Sequence, residues 1–335
     1  MIRACAKLLV SLEAGPREGV ARRLLPSSID MDQAILATTI DPASVARAAS
    51  GPRMVVMVAI PGRVQRGSRT RTDLTYVPYG RATWEWWCRS RGAEFVLIEE
   101  PVTRPGFADA PPPMQRWMAV ERLLLSGGAG TRIVVVDADT MIRWDAPDVF
   151  DLAGDSLGAV LDSGSGRTRW AWRSIAAYQR FFPDVQVRWW EYFNSGLVIF
   201  NKSHAPILTA LIDLYERHRP QLEAIQQQSD VGIDQTLLNF VVQQRRASLR
   251  LLPMPFNLID CLALPLTLRL QFDAPQSPEQ RQALLARILK VPETFDFIDQ
   301  SYVWHFTSPV SVRAEFMRET WLRLREHYPG AVAPA

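Results

Sequence analysis

Two carboxylates follow an uninterrupted apolar run in the middle of the chain. The run covers residues 133–136, and Asp137 and Asp139 come directly after it with one residue between them. Neighbouring carboxylates repel each other and are costly to remove from water, and a divalent cation relieves both costs. Such oxygen ligands suit Mg²⁺ or Mn²⁺, often together with substrate phosphates. The alternative is an acid pair that only caps a turn after a buried strand.

Further polar groups with candidate roles come later in the sequence. Asn194-Ser195-Gly196 is a small polar segment, which we predict to be a turn ahead of a second apolar run. Gly196 would let a backbone approach a ligand closely. Asp234-Gln235 precedes a helical apolar pattern, where free N–H groups and the helix dipole stabilise an acid. Asp234 could equally be an ordinary N-cap.

A single histidine, His305, lies inside a short apolar strand near the end of the chain. A lone histidine in such a place is most often a hydrogen-bonded core residue. It is also the third ligand that two carboxylates would need to hold an ion, so both interpretations stay open.

The elements that would position these groups alternate along the chain. We predict strands over residues 54–60, Glu94–Ile98 and 133–136, with helices over 84–91 and from Pro111 to Gly127 between them. Alternating strands and helices predict right-handed crossovers and a doubly wound α/β sheet. Ligands bind beyond the carboxyl ends of such strands, which is where Asp137 and Asp139 stand.

Composition narrows the function class. The chain has 335 residues, 47% of them hydrophobic, and a formal charge of +3, which does not indicate a nucleic-acid binder. Its three cysteines lack metal-ligand spacing and favour a reducing compartment. No apolar run approaches the ~18 residues of a transmembrane helix. We therefore expect a cytoplasmic protein, either free or peripheral to the inner face of a membrane.

Two parts of the chain differ in character. Residues 1–51 are predicted to form a separate helical segment without evident chemistry, acting as a packing arm or as a contact between copies in a homo-oligomer. Residues 52–335 are predicted to form the domain that carries the function.

Four motifs in this order resemble one enzyme family: Asp137-Ala138-Asp139 after a buried strand, Phe193-Asn194-Ser195-Gly196, Asp234-Gln235 and His305-Phe306. The set is similar to the nucleotide-sugar-dependent glycosyltransferases of the GT-A fold, in particular the glycogenin and lipopolysaccharide galactosyltransferase group, family 8. The resemblance covers about residues 53–310. It implies a mostly parallel sheet flanked by helices. It also implies transfer of a sugar from a nucleotide diphosphate sugar, with UDP as the expected nucleotide, to an acceptor hydroxyl, and it favours retention of the anomeric configuration.

The resemblance also implies roles for individual residues. Asp137, Asp139 and His305 would hold Mn²⁺ or Mg²⁺. Gln235 would lie near the anomeric carbon, and Asp234 would orient sugar hydroxyls. The remaining donor-binding positions would be Ala59, Ile60, Arg116, Ala138, Asn194, Ser195, Gly196 and Arg313, the last supplying positive charge to the diphosphate.

The chain departs from the family pattern at three places. Thr236 stands where an acid often follows the Asp-Gln pair, and Ile60-Pro61-Gly62 replaces the usual turn after the first strand. The glycine-lysine-proline run expected after His305-Phe306 is missing. These departures leave the nucleotide base and the stereochemistry open.

Two other functions compete with the transferase. A haloacid-dehalogenase-type phosphatase also has an apolar strand ending in two spaced acids, with Asp137 as nucleophile and Lys202 or Lys290 as its lysine. Met141 stands where that superfamily has Thr or Val. A domain that binds a nucleotide sugar without catalysis is the third possibility, and intact acids with a retained histidine argue against it.

Overall fold

The computed structural model describes residues 51–61, 74–102, 109–162, 167–229, 231–259, 277–307 and 313–332. The helical segment predicted before residue 51 lies outside these ranges, so it stays a prediction. The strands, in chain order, are β1 (Arg53–Val58), β2 (Glu94–Ile98), β3 (Arg132–Asp137), β4 (Thr140–Ile142), β5 (Leu157–Leu161), β6 (Phe193–Asn201), β7 (Leu249–Leu252) and β8 (Val303–His305).

The central sheet has the strand order β2-β1-β3-β6-β5-β7. Strand β1 is parallel to β2 and β3, and β5 is parallel to β7, whereas β6 is antiparallel to both of its neighbours. Five of the six strands therefore run in one direction. The predicted α/β class with a mostly parallel sheet is confirmed, with β6 as an antiparallel strand at its centre.

Helices cover both faces of this sheet. They are α1 (Val77–Ser90), α2 (Pro112–Ser126), α3 (Arg167–Tyr178), α4 (Ala205–Ser229), α5 (Asp234–Gln244), α6 (Pro278–Ile288), α7 (Phe297–Gln300) and α8 (Arg313–Leu324). Helix α1 begins well before the predicted start at Trp84, because the proline after Val77 occupies the first turn of a helix without loss.

Strand β3 shows why the sheet must be covered on two sides. Ile133 and Val135 pack into the core formed with α2, α3, α4 and α5, while Val134 and Val136 pack into the core formed with α1. All four side chains are fully buried. Each such burial contributes about 1.5–3 kcal/mol, so β3 is fixed firmly in the middle of the fold.

A second sheet, of two strands, places His305 close to the acid pair at the end of β3. Strand β4 begins after the turn at Ala138 and Asp139 and pairs antiparallel with β8, so that Thr140 lies opposite His305. Helix α1 packs closely on β4, because Gly80 has no Cβ to meet the carbonyl oxygen of Thr140. The small sheet thus brings a late residue of the chain to the end of β3.

Strand β6 contains a pronounced irregularity. Ala159 of β5 pairs with Val198, but the next residue of β5, Val160, pairs with Asn194. Residues 195–197 therefore bulge out of the pairing with β5. The prediction of a turn at Asn194-Ser195-Gly196 is wrong, since these residues belong to β6; their polar groups are satisfied by other parts of the chain, as the site shows.

Candidate metal and sugar-donor site

The acid pair stands at the carboxyl end of β3, as the sequence predicts. Asp137 is the last residue of the strand and pairs with Val58, the last residue of β1. Thr140 Oγ1 donates to the Asp137 carbonyl oxygen at 2.7 Å and closes the turn, and Trp84 Nε1 donates to the same hydroxyl at 3.0 Å. The first contact is partly buried and the second is buried, so together they hold the turn that presents the two carboxylates.

His305 meets both carboxylates. Its Nε2 lies 3.4 Å from Asp137 Oδ2 and 3.2 Å from Asp139 Oδ1. Ligand atoms of the three residues lie within 4.8 Å of one another. His305 is only 2% exposed, so it is a core histidine as well as a neighbour of the acids. The three residues that were predicted to share an ion therefore converge on one point.

In each carboxylate, one oxygen contacts an arginine and the other faces His305 Nε2. Asp137 Oδ1 accepts from Arg116 Nη1, and Asp139 Oδ2 pairs with Arg313 Nη1 at 2.8 Å. The other oxygen of each carboxylate turns toward His305 Nε2. Two carboxylate oxygens and one imidazole nitrogen then face each other. All three are acceptors when the ring is neutral, and such a set fits a divalent cation.

Arg116 of α2 links this group to the start of α5. It is 5% exposed, and its Nη2 donates to Asp234 Oδ2 at 2.5 Å and to Ser195 Oγ at 3.1 Å. Burial lowers the pKa of Arg116, while the charge and hydrogen bond of Asp234 raise it. Since a guanidinium remains charged in proteins, Arg116 is a fixed cation between two acids. Asp234 is the first residue of α5 rather than its N-cap, which is Ile233.

Gln235 is the centre of a buried amide network. Its Oε1 accepts from the Ser195 N–H at 3.0 Å and from Asn194 Nδ2 at 3.1 Å, and its Nε2 donates to Asp162 Oδ2 at 2.9 Å. All four side chains are largely buried. The bulge of β6 is what places the Ser195 N–H toward Gln235 instead of toward β5.

Gly196 makes room for the histidine ring. A Cβ built on Gly196 would overlap His305 Cε1 and lie 2.5 Å from its Nδ1. The backbone at Gly196 is thus close to a candidate metal ligand. Its predicted contact with the donor itself stays a prediction.

The other predicted positions lie around the same end of the sheet. Ala59 and Ile60 follow the last residue of β1, and the Ala59 N–H donates to the carbonyl oxygen of Ile98 at 2.8 Å. Ala138 lies in the turn between the acids. Arg313 begins α8, and its Nε donates to the Phe306 carbonyl oxygen at 2.7 Å, which holds its guanidinium against Asp139.

Sequence reasoning missed two residues of this site, Asp162 and Asn257. Asp162 follows β5 directly and is 5% exposed, so it stands after a buried strand in the way that Asp137 does. That position was the available signal. Asn257 donates from Nδ2 to Asn194 Oδ1 and places its Oδ1 against His305 Nδ1, and its local sequence gives no indication of either contact.

The phosphatase hypothesis offers Lys202 or Lys290 as its lysine, and Lys202 is far from Asp137. Lys202 Nζ donates to the carbonyl oxygens of Leu124 and Leu125, and its N–H donates to that of Thr131, just before the start of β3. It is therefore at the opposite end of β3 from the acids, and its assignment to that role was wrong. Within the described ranges, none of the helices is long and apolar enough to cross a membrane.

No protein-family model and no curated protein matches the sequence. Among solved structures, the chain is similar to a glycosyltransferase involved in glycosylation of the major capsid of PBCV-1, with 12% identity over 80% of this chain and 99% of that one and a TM-score of 0.45. It is also similar to galactosyltransferase LgtC in complex with donor and acceptor sugar analogues, with 13% identity over 84% of this chain and 97% of that one and a TM-score of 0.42. For mouse xyloside xylosyltransferase 1 the identity is 10% over 77% of this chain and 99% of that one, with a TM-score of 0.40.

Proposed function

We propose that this chain is a metal-dependent glycosyltransferase that moves a sugar from a nucleotide diphosphate sugar, UDP-linked, to an acceptor hydroxyl. One observation carries the proposal. The four motifs that resemble this enzyme class are far apart in the sequence, and they meet in one buried hydrogen-bonded group at the carboxyl end of β3. A set of unrelated turn and core residues would have no reason to converge in this way.

The metal is assigned to Asp137 Oδ2, Asp139 Oδ1 and His305 Nε2. An imidazole ligand favours Mn²⁺ over Mg²⁺, which prefers an all-oxygen shell. When bound, the ion would supply positive charge that stabilises the leaving diphosphate. Arg313 adds a second fixed cation beside Asp139 at the same place.

The sugar is assigned to the side of the site formed by Asp234 and Gln235. Arg116 fixes the Asp234 carboxylate, so that it can accept from sugar hydroxyls without reorganising. Gln235 is held at both ends of its amide by Ser195 and Asp162, and we place it next to the anomeric carbon. Retention, with attack from the face of the leaving group, follows from the resemblance alone.

The acceptor is assigned to the aromatic segment that precedes β6. Trp189 and Trp190 are 42% and 53% exposed and pack edge to face just before the strand enters the site. Exposed indole faces suit the apolar face of a sugar ring. A carbohydrate hydroxyl is therefore our proposed acceptor.

A donor panel tests the proposal. The chain is incubated with UDP-, GDP- and other nucleotide sugars in Mn²⁺, Mg²⁺ or EDTA, and release of the nucleoside diphosphate is measured, with Asp139→Asn as the matched control. We expect metal-dependent release from one donor class, absent in the variant. Hydrolysis of p-nitrophenyl phosphate without release from any nucleotide sugar would overturn the proposal in favour of a phosphatase.

A further inference from the structure

Asn257 connects the two halves of the candidate site, although the proposed function gives it no role. Its side chain is fully buried. Its Nδ2 donates to Asn194 Oδ1 at 2.9 Å, and its Oδ1 lies 3.1 Å from His305 Nδ1. The side chain therefore stands between the amide network of Gln235 and the imidazole that faces the two acids.

Backbone contacts hold Asn257 and His305 beside each other. The Leu258 N–H donates to the Val303 carbonyl oxygen, and the His305 N–H donates to that of Leu258, both at 2.9 Å. The Tyr302 N–H donates to the Pro255 carbonyl oxygen at 2.8 Å. The amide and the ring are consequently presented to one another by two paired backbone segments and not by a flexible loop.

A backbone N–H fixes the orientation of the side-chain amides of Asn194 and Asn257. The Gly196 N–H can only donate, and it meets Asn194 Oδ1 at 2.8 Å, so that atom must be the oxygen. An oxygen at this place needs a donor from Asn257, which must be its Nδ2. The oxygen of Asn257 therefore faces His305 Nδ1, and only an N–H on Nδ1 can pair with it.

These contacts place a proton on Nδ1 of His305. A neutral ring with its proton on Nδ1 carries a lone pair on Nε2, the atom that lies 3.2 Å from Asp139 Oδ1 and 3.4 Å from Asp137 Oδ2. This is the form in which an imidazole binds a metal ion through Nε2. The opposite tautomer would place its N–H against the carboxylates and block the site with a hydrogen bond.

We propose that Asn257 is a positioning residue that holds His305 in its Nδ1–H tautomer and thereby sets the affinity of the Asp137, Asp139 and His305 group for a divalent cation. This rests on the proposed metal site, but the tautomer itself does not. Hydrogen-bond partners of metal-bound histidines typically change metal affinity by about 10- to 100-fold when removed.

The test compares three variants of the full chain. Asn257→Ala removes both contacts, whereas Asn257→Asp keeps an oxygen acceptor for Nδ1–H and loses only the donor to Asn194 Oδ1. Asn239→Ala is the matched control, because Asn239 is equally buried and makes three hydrogen bonds to the backbone of Phe193 and Gln235 without contacting His305. Mn²⁺ affinity is measured from the electron paramagnetic resonance signal of free Mn²⁺. The tautomer is read from ¹⁵N spectra of the metal-free, histidine-labelled protein, which has four histidines, at a pH high enough for the imidazole of His305 to be neutral.

We expect Asn257→Ala to weaken Mn²⁺ binding about 10- to 100-fold and to shift His305 to the Nε2–H tautomer. Asn257→Asp should keep the Nδ1–H tautomer and most of the affinity, and Asn239→Ala should keep both. Wild-type affinity in Asn257→Ala, or an Nε2–H tautomer in the wild type, would overturn the inference. If Asn257→Ala does not fold, loss of the Nδ1–H tautomer in Asn257→Asp overturns it. A wild type that binds no Mn²⁺ refutes the metal site, and the spectrum then decides the tautomer alone.

Discussion

At the scale of single residues, the three candidate ligands are not equivalent. The Asp139 side chain is 11% exposed and makes close contacts with both His305 and Arg313, whereas the Asp137 side chain is 30% exposed. His305 is neutral when it binds a metal, so its loss removes a ligand atom without removing charge. A water molecule replaces a neutral ligand more readily than a charged one. The charge of Asp139 should therefore matter most to cation binding.

Asp139→Asn should accordingly abolish Mn²⁺ binding, while His305→Ala should weaken it and leave it measurable. The measurement is titration with Mn²⁺ followed by the resonance of the free ion. Asp145→Asn is the control, because Asp145 is a nearby acid that pairs with Arg143 at the surface. A larger loss in His305→Ala than in Asp139→Asn would contradict this ranking.

Gln235→Ala should lower kcat by about 100-fold while changing the KM for the donor little. Interactions that strengthen only as charge develops in the transition state act on turnover, and loss of one such contact costs on this order. Steady-state kinetics with the donor identified by the panel supply both constants. Gln244→Ala, an exposed glutamine at the other end of α5, is the matched control. An unchanged kcat would remove Gln235 from the site.

At the scale of elements, the bulge in β6 places Gly196 beside the His305 ring, and the absence of a side chain at Gly196 leaves room for that ring. Gly196→Ala should therefore destabilise the fold by about 1–3 kcal/mol, the usual cost of overpacking, and should also lower Mn²⁺ affinity because the ring must move. Denaturant unfolding and the Mn²⁺ titration measure the two effects. Gly128→Ala is the control, since a Cβ there meets no atom within 4 Å. A stable Gly196→Ala variant with normal Mn²⁺ affinity would show that the ring has room.

The far end of β6 carries a pH-sensitive contact. His204 Nδ1 accepts from the Asn201 N–H at 3.1 Å, and burial lowers the pKa of His204 to about 4. The unfolded chain binds this proton near pH 6.5, so the free energy of unfolding should fall as the pH is lowered from 6.5 to 4. The loss should be on the order of 3 kcal/mol.

Urea unfolding at pH 7 and pH 4 measures this loss. His204→Asn keeps an acceptor for the Asn201 N–H and cannot be protonated, so its pH dependence should be smaller by that amount. Equal pH dependence in the two proteins would show that His204 does not contribute.

Elements with strong local signals were predicted well. Strand β2 has the predicted bounds, because it is a short apolar run between turn residues. The β6 segment misled the prediction, since Asn194 and Ser195 resemble a turn locally and are strand residues because Gln235, Arg116 and Asn257 satisfy them. Those partners lie far away in the sequence, which also explains why Asn257 was missed.

At the scale of the whole molecule, the candidate site joins two sheets. Asp137 ends β3 of the central sheet, and His305 ends β8 of the small sheet, which packs with α8 in a separate apolar cluster. The β3–β4 turn, the Phe306 N–H that donates to the Asp139 carbonyl oxygen at 2.9 Å, and the ion pair of Arg313 with Asp139 already link the two sheets at this point. An ion shared by Asp137, Asp139 and His305 would tie the two sheets together directly.

Mn²⁺ should therefore stabilise the whole chain and not only the site. An ion that binds the folded state alone contributes about 2.7 kcal/mol at a hundred times its Kd. For chains of ~150–250 residues each kcal/mol raises Tm by about 2–4 °C, so a rise of several degrees is expected. Thermal unfolding with Mn²⁺, Mg²⁺ or EDTA measures it, and Mg²⁺ should give the smaller shift because one ligand is an imidazole. Asp139→Asn should show no shift. The same Tm increase in that variant would mean that Mn²⁺ acts elsewhere on the chain.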